Sequence, residues 1–239
     1  MNAFSGDMRE RLLDGLRGVA ARDDVGCVVI TGAGKAFCAG GDVGSMVALQ
    51  DENDDTVIGD RVAVSGEILQ QLRDIQPPVV AAVNGPAAGA GINLALACDI
   101  RLASSAAIFA ESFIKIGLVP DWGGFQSLSR LVGTAKAMEL MMTGDRIDAA
   151  EAFRLGLVNK VFPAQEFSAE VEKFTTRLAA GPRAALAAIK KGVYLGATGS
   201  AADVQSFEFE TQVELFLSDD AREGMRAFVE KRSPKFGKS

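Results

Sequence analysis

Apolar residues recur at helical spacing from Ser5 to about Ala21, where Met8, Leu12, Leu13, Leu16 and Val19 form one stripe and Ser5 stands at the N-cap position. At Cys27-Val28-Val29-Ile30-Thr31 the pattern becomes a short β-branched run between turn residues, the mark of a strand buried on both faces. A loop from Gly32 to Gly41 follows, and Asp42 is placed to cap the next short helix. Gln50 to Asp55 reads as an acidic, solvated connection, then a helix from about Thr56 to Ile75 leads through Pro77-Pro78 into a second strand, Val79 to Val83. A Gly-rich turn opens a small-residue helix over about Ala88 to Ala97, with further strands at Asp99 to Ala103 and around Ala107 to Phe109. Beyond Trp122 the periodicity is almost entirely helical, interrupted only by a strand at Val158 to Phe162. Strands alternating with helices predict an α/β protein with mostly parallel pairing and a helical C-terminal part.

Composition narrows the chemistry. At 239 residues the chain can bury a substantial core, and a net charge of -6 argues against a nucleic-acid surface. No apolar run is long enough for a membrane span, so no membrane partner is expected. Three scattered cysteines, Cys27, Cys38 and Cys98, fit a reduced cytoplasmic compartment better than a disulfide framework. The chain contains no histidine, which excludes Ser-His-Asp and Cys-His catalysis within it, and His-ligated zinc sites. Proton transfer therefore falls to carboxylates, lysine, Tyr194, cysteine or water.

Three loops carry the candidate site. Leu118-Val119-Pro120-Asp121-Trp122-Gly123-Gly124 sets one acid between a proline and two glycines after an apolar run. Asp121 reads as a helix cap, a catalytic carboxylate, or both. Cys38-Ala39-Gly40-Gly41-Asp42 and Asn84-Gly85-Pro86-Ala87-Ala88-Gly89-Ala90-Gly91 each join a strand to a helix and can present backbone N–H groups at a helix N-terminus. Two such donors converging on one point would make an oxyanion hole, and small residues suit it because a substrate must approach the backbone closely. Neither loop is a nucleotide motif. Thr31 to Ala36 lacks the first glycine and the hydroxyl residue of a P-loop, and Gly85 to Gly91 lacks the dinucleotide-binding spacing.

Lys35-Ala36-Phe37-Cys38-Ala39-Gly40-Gly41-Asp42 resembles the first oxyanion segment of the crotonase (enoyl-CoA hydratase/isomerase) superfamily, and Pro78 to Gly91 with Ala97-Cys98-Asp99-Ile100 resembles its second. Gly117-Leu118-Val119-Pro120, Gly156-Leu157-Val158 and Phe228-Val229-Glu230-Lys231-Arg232 extend the likeness through the chain. The resemblance implies a spiral of β-β-α units over residues 1–195, a helical oligomerisation region over 196–239, and a homotrimer or dimer of trimers. It implies an acyl-CoA thioester substrate that carries its own coenzyme A, with no metal or redox cofactor. Gly41 and Ala90 become the oxyanion donors, and Lys35, Ala39, Asn93, Phe113 and Trp122 the substrate-binding residues, with Lys35 near the coenzyme phosphates. The family's hydratases carry two glutamates at positions that here hold Asn93 and Phe113, whereas Asp121 matches the acid/base carboxylate of some family isomerases, including the ring-epoxide phenylacetyl-CoA type. An isomerase that shifts a double bond is thus the expected activity, with a hydratase or a non-catalytic acyl-CoA-binding member as alternatives. Glu111 is a second candidate base, and also reads as an ordinary first-turn carboxylate of a helix. An apolar pocket of Phe113, Leu118, Trp122 and Phe125 is expected around Asp121. Met1-Asn2-Ala3-Phe4 resembles the end of a motif that in the family follows a strand hairpin, and that hairpin is expected to be missing.

Overall fold

The computed structural model describes residues 1–52 and 55–237. Helix α1 (Met8–Ala20) leads to β1 (Val28–Thr31), α2 (Val43–Glu52) and α3 (Thr56–Asp74). The chain then runs through β2 (Val79–Val83), β3 (Ala87–Ala88), α4 (Ala90–Ala97), β4 (Ile100–Ser104) and β5 (Ile108–Ala110) to a 3-10 helix at Ser112–Ile116. After it come α5 (Gly124–Val132), α6 (Thr134–Thr143), β6 (Arg146–Asp148), α7 (Ala149–Arg154) and β7 (Lys160–Phe162). Helices α8 (Phe167–Ala179), α9 (Arg183–Thr198), α10 (Ala201–Phe216) and α11 (Asp219–Val229) complete it.

One sheet has the order β1-β2-β4-β7 and the other β3-β5-β6, so the chain alternates between two sheets as it winds. This is the expected crotonase-like spiral of β-β-α turns. Strand β4 pairs in parallel with β2 (Val80 opposite Ile100) and with β7 (Leu102 opposite Lys160). Every residue of β2 is buried, as its unbroken apolar run requires of a central parallel strand. Strand β5 pairs in parallel with β3 and antiparallel with β6.

The chain forms two compact units. The first unit comprises 1–22, 29–75 and 79–172, and contains both sheets almost entirely. The second comprises 23–28, 76–78 and the chain from 173 onward, where α9 packs on α10 and α10 on α11. There a capping box closes α10, with the Ser200 hydroxyl accepting from the Asp203 N–H and the Asp203 carboxylate accepting from the Ser200 N–H. Phe209 and Phe228 are exposed on these helices. Among the described residues no helix is long and apolar enough to cross a membrane.

Several local expectations change. Ser5 does not cap α1: Asp7 holds the cap position and makes no side-chain cap bond. Gln50, Asp51 and Glu52 continue α2 rather than forming a loop, Asp55 holds the cap position of α3 without a side-chain cap bond, and Asn53 and Asp54 lie outside the described residues. Asp42 does cap α2, accepting from the Gly44 N–H at 3.2 Å. Strand β6, unpredicted because Arg-Ile-Asp shows no apolar run, is a second interruption of the helical half.

Candidate active site

A cavity of about 900 Å³ lies in the first unit. Its walls are largely apolar, including Met46 and Val47 of α2, Ile58 and Val62 of α3, and Phe113 and Leu118 beyond β5. Four charged residues interrupt this lining: Arg9, Asp55, Arg61 and Asp121.

Asp121 sits on a tightly bent segment. Gly117 ends the 3-10 helix at φ +72°, and Trp122 and Gly123 follow Asp121 at φ +49° and +69°. A bulky residue in the left-handed region is strained and must be held there by its surroundings. Trp122 is buried and stacks on Phe4, with ring centroids 4.4 Å apart and planes at 25°. The Asp121 carbonyl accepts from the Gly124 N–H at 3.0 Å and from Asn93 Nδ2 at 2.9 Å. Gly123 occupies the cap position of α5, which has no side-chain cap bond, so the carboxylate of Asp121 does not cap that helix. Its Oδ1 is buried and has no hydrogen-bond partner. Burial pushes the Asp121 carboxyl above the ordinary range, and the positive charge of Arg9 opposes that rise.

Asn93 and Glu111 lie behind this segment. The Asn93 amide is fully buried against Gly124, where a Cβ would come within 2.4 Å of Nδ2. Besides the Asp121 carbonyl, Nδ2 faces Glu111 Oε2 at 3.5 Å. Glu111 is only 2% exposed, so it is a core residue and not a solvated first-turn carboxylate. Burial raises its pKa to about 8, opposed by the Asn93 contact and reinforced by the charge of Asp121. At neutral pH Glu111 is therefore a neutral acid.

Among the described residues, the buried side-chain polar atoms without a hydrogen-bond partner belong to Arg9, Asn93, Glu111, Asp121 and Trp122. Each such atom costs about 1–3 kcal/mol if left dry. Asn93, Glu111 and Asp121 are linked by the contacts just given, Trp122 is the next residue in the chain, and Arg9 shares the cavity wall with Asp121. Unmet polar capacity concentrated in this way marks a place for a ligand or ordered water.

The two Gly turns pack on each other. Cys38 bridges Ala87, and the Ala88 N–H donates to the Cys38 carbonyl at 3.0 Å. A Cβ on Gly91 would lie 2.2 Å from that carbonyl, so the approach requires glycine. The Gly41 and Ala90 N–H groups have no acceptor among the described residues. The Ala39 N–H, by contrast, donates to the Met1 carbonyl at 3.1 Å. The Lys35 side chain is exposed on the preceding loop. Of the residues singled out from sequence, Asp121, Phe113 and Leu118 line the cavity, and Gly41, Ala90, Lys35, Ala39, Asn93 and Trp122 lie outside its wall. Phe125 is also outside it, exposed on α5.

Sequence reasoning missed Arg9 and undervalued Glu111, although both left a signal. Arg9 is spaced 9-13-16 with the buried Leu13 and Leu16, which puts it on the inward face of α1. Glu111 follows the buried Phe109 by two, the spacing of one strand face.

The model of the enoyl-CoA hydratase/isomerase family matches residues 1–239, and the chain belongs to that family. It is 41% identical to the Rhodobacter capsulatus protein named "Probable enoyl-CoA hydratase" over 99% of this chain and 90% of that one. It is also 35% identical to the 1,2-epoxyphenylacetyl-CoA isomerase of Escherichia coli K12, with 99% and 90% covered. The crystal structure of an enoyl-CoA hydratase from Polaromonas sp. JS666 superposes with a TM-score of 0.91 at 35% identity, covering 96% of this chain and 89% of that one.

Proposed function

We propose that the protein is an acyl-CoA isomerase that moves a double bond with Asp121 as its single acid/base. The observation that carries this reading is the Asp121 carboxylate itself, with a buried, unpartnered Oδ1 on the wall of an apolar cavity. The other carboxylate in that wall, Asp55, is exposed. Asp121 removes a proton from the carbon beside the thioester carbonyl, and the charge passes to the thioester oxygen. The Gly41 and Ala90 N–H groups donate to that enolate oxygen. The protonated Asp121 then returns the proton two carbons away, completing a 3-enoyl to 2-enoyl shift. One carboxylate suffices because the proton it takes is the proton it gives back. Burial suits both steps, since a raised pKa makes a stronger base and exclusion of water protects the shuttled proton. The likeness to the E. coli isomerase supports the same assignment.

A second reading, hydration of a 2-enoyl thioester, is favoured by the hydratase relatives and by Glu111, a second buried carboxyl beside Asn93. The deciding experiment assays wild type and Asp121→Asn on 3-enoyl-CoA, 2-enoyl-CoA and a ring-epoxide aryl-CoA, with melting curves. Wild type is expected to isomerise, and the variant to lose about 10²–10⁴-fold in kcat without melting lower. Hydration of 2-enoyl-CoA at equal rates by both proteins would overturn the isomerase reading.

A further inference from the structure

Arg9 is a costly residue to place where it is. It is 5% exposed at the start of α1, Nε has no hydrogen-bond partner, and Nη1 makes one long contact of 3.3 Å with the Phe4 carbonyl. Its guanidinium lies 5.3 Å from the centre of the Phe4 ring, whose other contact is the stack on Trp122. It makes no ion pair within 4 Å among the described residues, yet it shares the cavity wall with Asp121. An unpaired buried charge is normally eliminated or neutralised, so its retention calls for a function.

The separation between the two charges is what gives Arg9 its use. A cation in direct contact would occupy the Asp121 oxygens and depress the carboxyl until it was a poor base. With no cation at all, burial would act on Asp121 unopposed and favour its protonated form, which cannot accept a proton. A guanidinium in the same cavity, near enough to act and too far to bond, avoids both outcomes.

We propose that Arg9 is a positioning residue for Asp121: from the same cavity wall its charge favours the ionised carboxylate while leaving Oδ1 open to the substrate. This rests on Asp121 being the acid/base. The pattern of charge supports it, because the positive charge of Arg9 is the largest effect opposing the burial of Asp121. The other groups around the pair are Arg61 and Asp55 from α3 and its start, Glu10 on α1, Cys38 in the first Gly turn and Glu111 after β5. The charge of Asp121 in turn favours the charged form of Arg9, and that of Arg61 opposes it.

The test separates this proposal from the isomerase reading by titrating Asp121 directly. Protein labelled with ¹³C at aspartate Cγ is followed by NMR across pH, and Asp121→Asn assigns the resonance. Two neutral variants are compared with wild type: Arg9→Met, of similar length, and Arg9→Gln, which keeps a donor for the Phe4 carbonyl. In both, the Asp121 midpoint is expected to rise by at least about one pH unit, and Arg9→Lys is expected to return it toward wild type. The acidic limb of kcat/KM should move by the same amount, whereas a purely structural role would lower the rate without moving that limb. A midpoint that rises by less than one unit in the folded neutral variants overturns the proposal. A shifted midpoint in a protein that does not isomerise supports the charge coupling and removes the isomerase reading instead.

Discussion

Replacing Glu111 with glutamine isolates the energetics of the buried acid. In the unfolded chain its carboxyl titrates near 4.5, and in the fold near 8. Between these values the folded protein holds a proton that the unfolded chain has released, so rising pH favours unfolding. The stabilising contribution of the protonated group is complete below pH 4.5, falls through the window and is gone above about pH 8. At about 1.4 kcal/mol per pH unit the interval amounts to about 5 kcal/mol. Glutamine has nearly the same shape, still offers the Asn93 amide an oxygen, and never ionises. The two proteins should thus differ by no more than about 1 kcal/mol at pH 5, while the variant gains by about 3–5 kcal/mol at pH 8.5. Urea unfolding followed by fluorescence of Trp122, the chain's one tryptophan, would measure this at half-unit intervals of pH. All other titrating groups are common to both chains and largely cancel in the difference. A gap that stays constant from pH 5 to 8.5 would refute the argument, because it would mean that Glu111 is solvated or already ionised in the fold.

Two glycine substitutions should act in opposite directions. Gly124→Ala drives a Cβ to within 2.4–2.8 Å of the Asn93 amide, so it should cost about 1–3 kcal/mol and slow turnover by displacing the bond from Asn93 to the Asp121 carbonyl; unchanged melting would show that the amide can move aside. Gly66→Ala, on an exposed face of α3 with nothing within 4 Å of the new carbon, should raise stability by about 0.5–1 kcal/mol at constant kcat/KM, measured by the same unfolding assay.

The frame of this protein was largely readable from sequence because its signals are local. The β-branched and alanine runs of β1 and β2, the two Gly turns and the periodic helices after Trp122 each declare themselves within a few residues. The candidate site was readable only in part. Asp121 stands out between Pro120 and two glycines, but whether it caps α5 depends on the left-handed turn at Trp122 and Gly123, which local preference does not specify. Arg9 and Glu111 lie far apart in the chain, on α1 and just after β5, and their importance arises from being buried within reach of the charge of Asp121. Burial of that kind is a property of the packed whole, so a charged residue on an apolar face was the only trace it left.

The wedge of Asn93 between Gly124, the Asp121 carbonyl and Glu111 also bears on how this site can evolve. A glutamate at position 93 would set a third carboxyl among two already raised by burial, in a space where the backbone of Gly124 leaves no slack. That step becomes easier once Glu111 has been exchanged for a smaller residue, which would give the new carboxyl room. Mutational routes from this arrangement toward a two-glutamate site are therefore ordered, and the same substitution is ruinous or tolerable according to what preceded it.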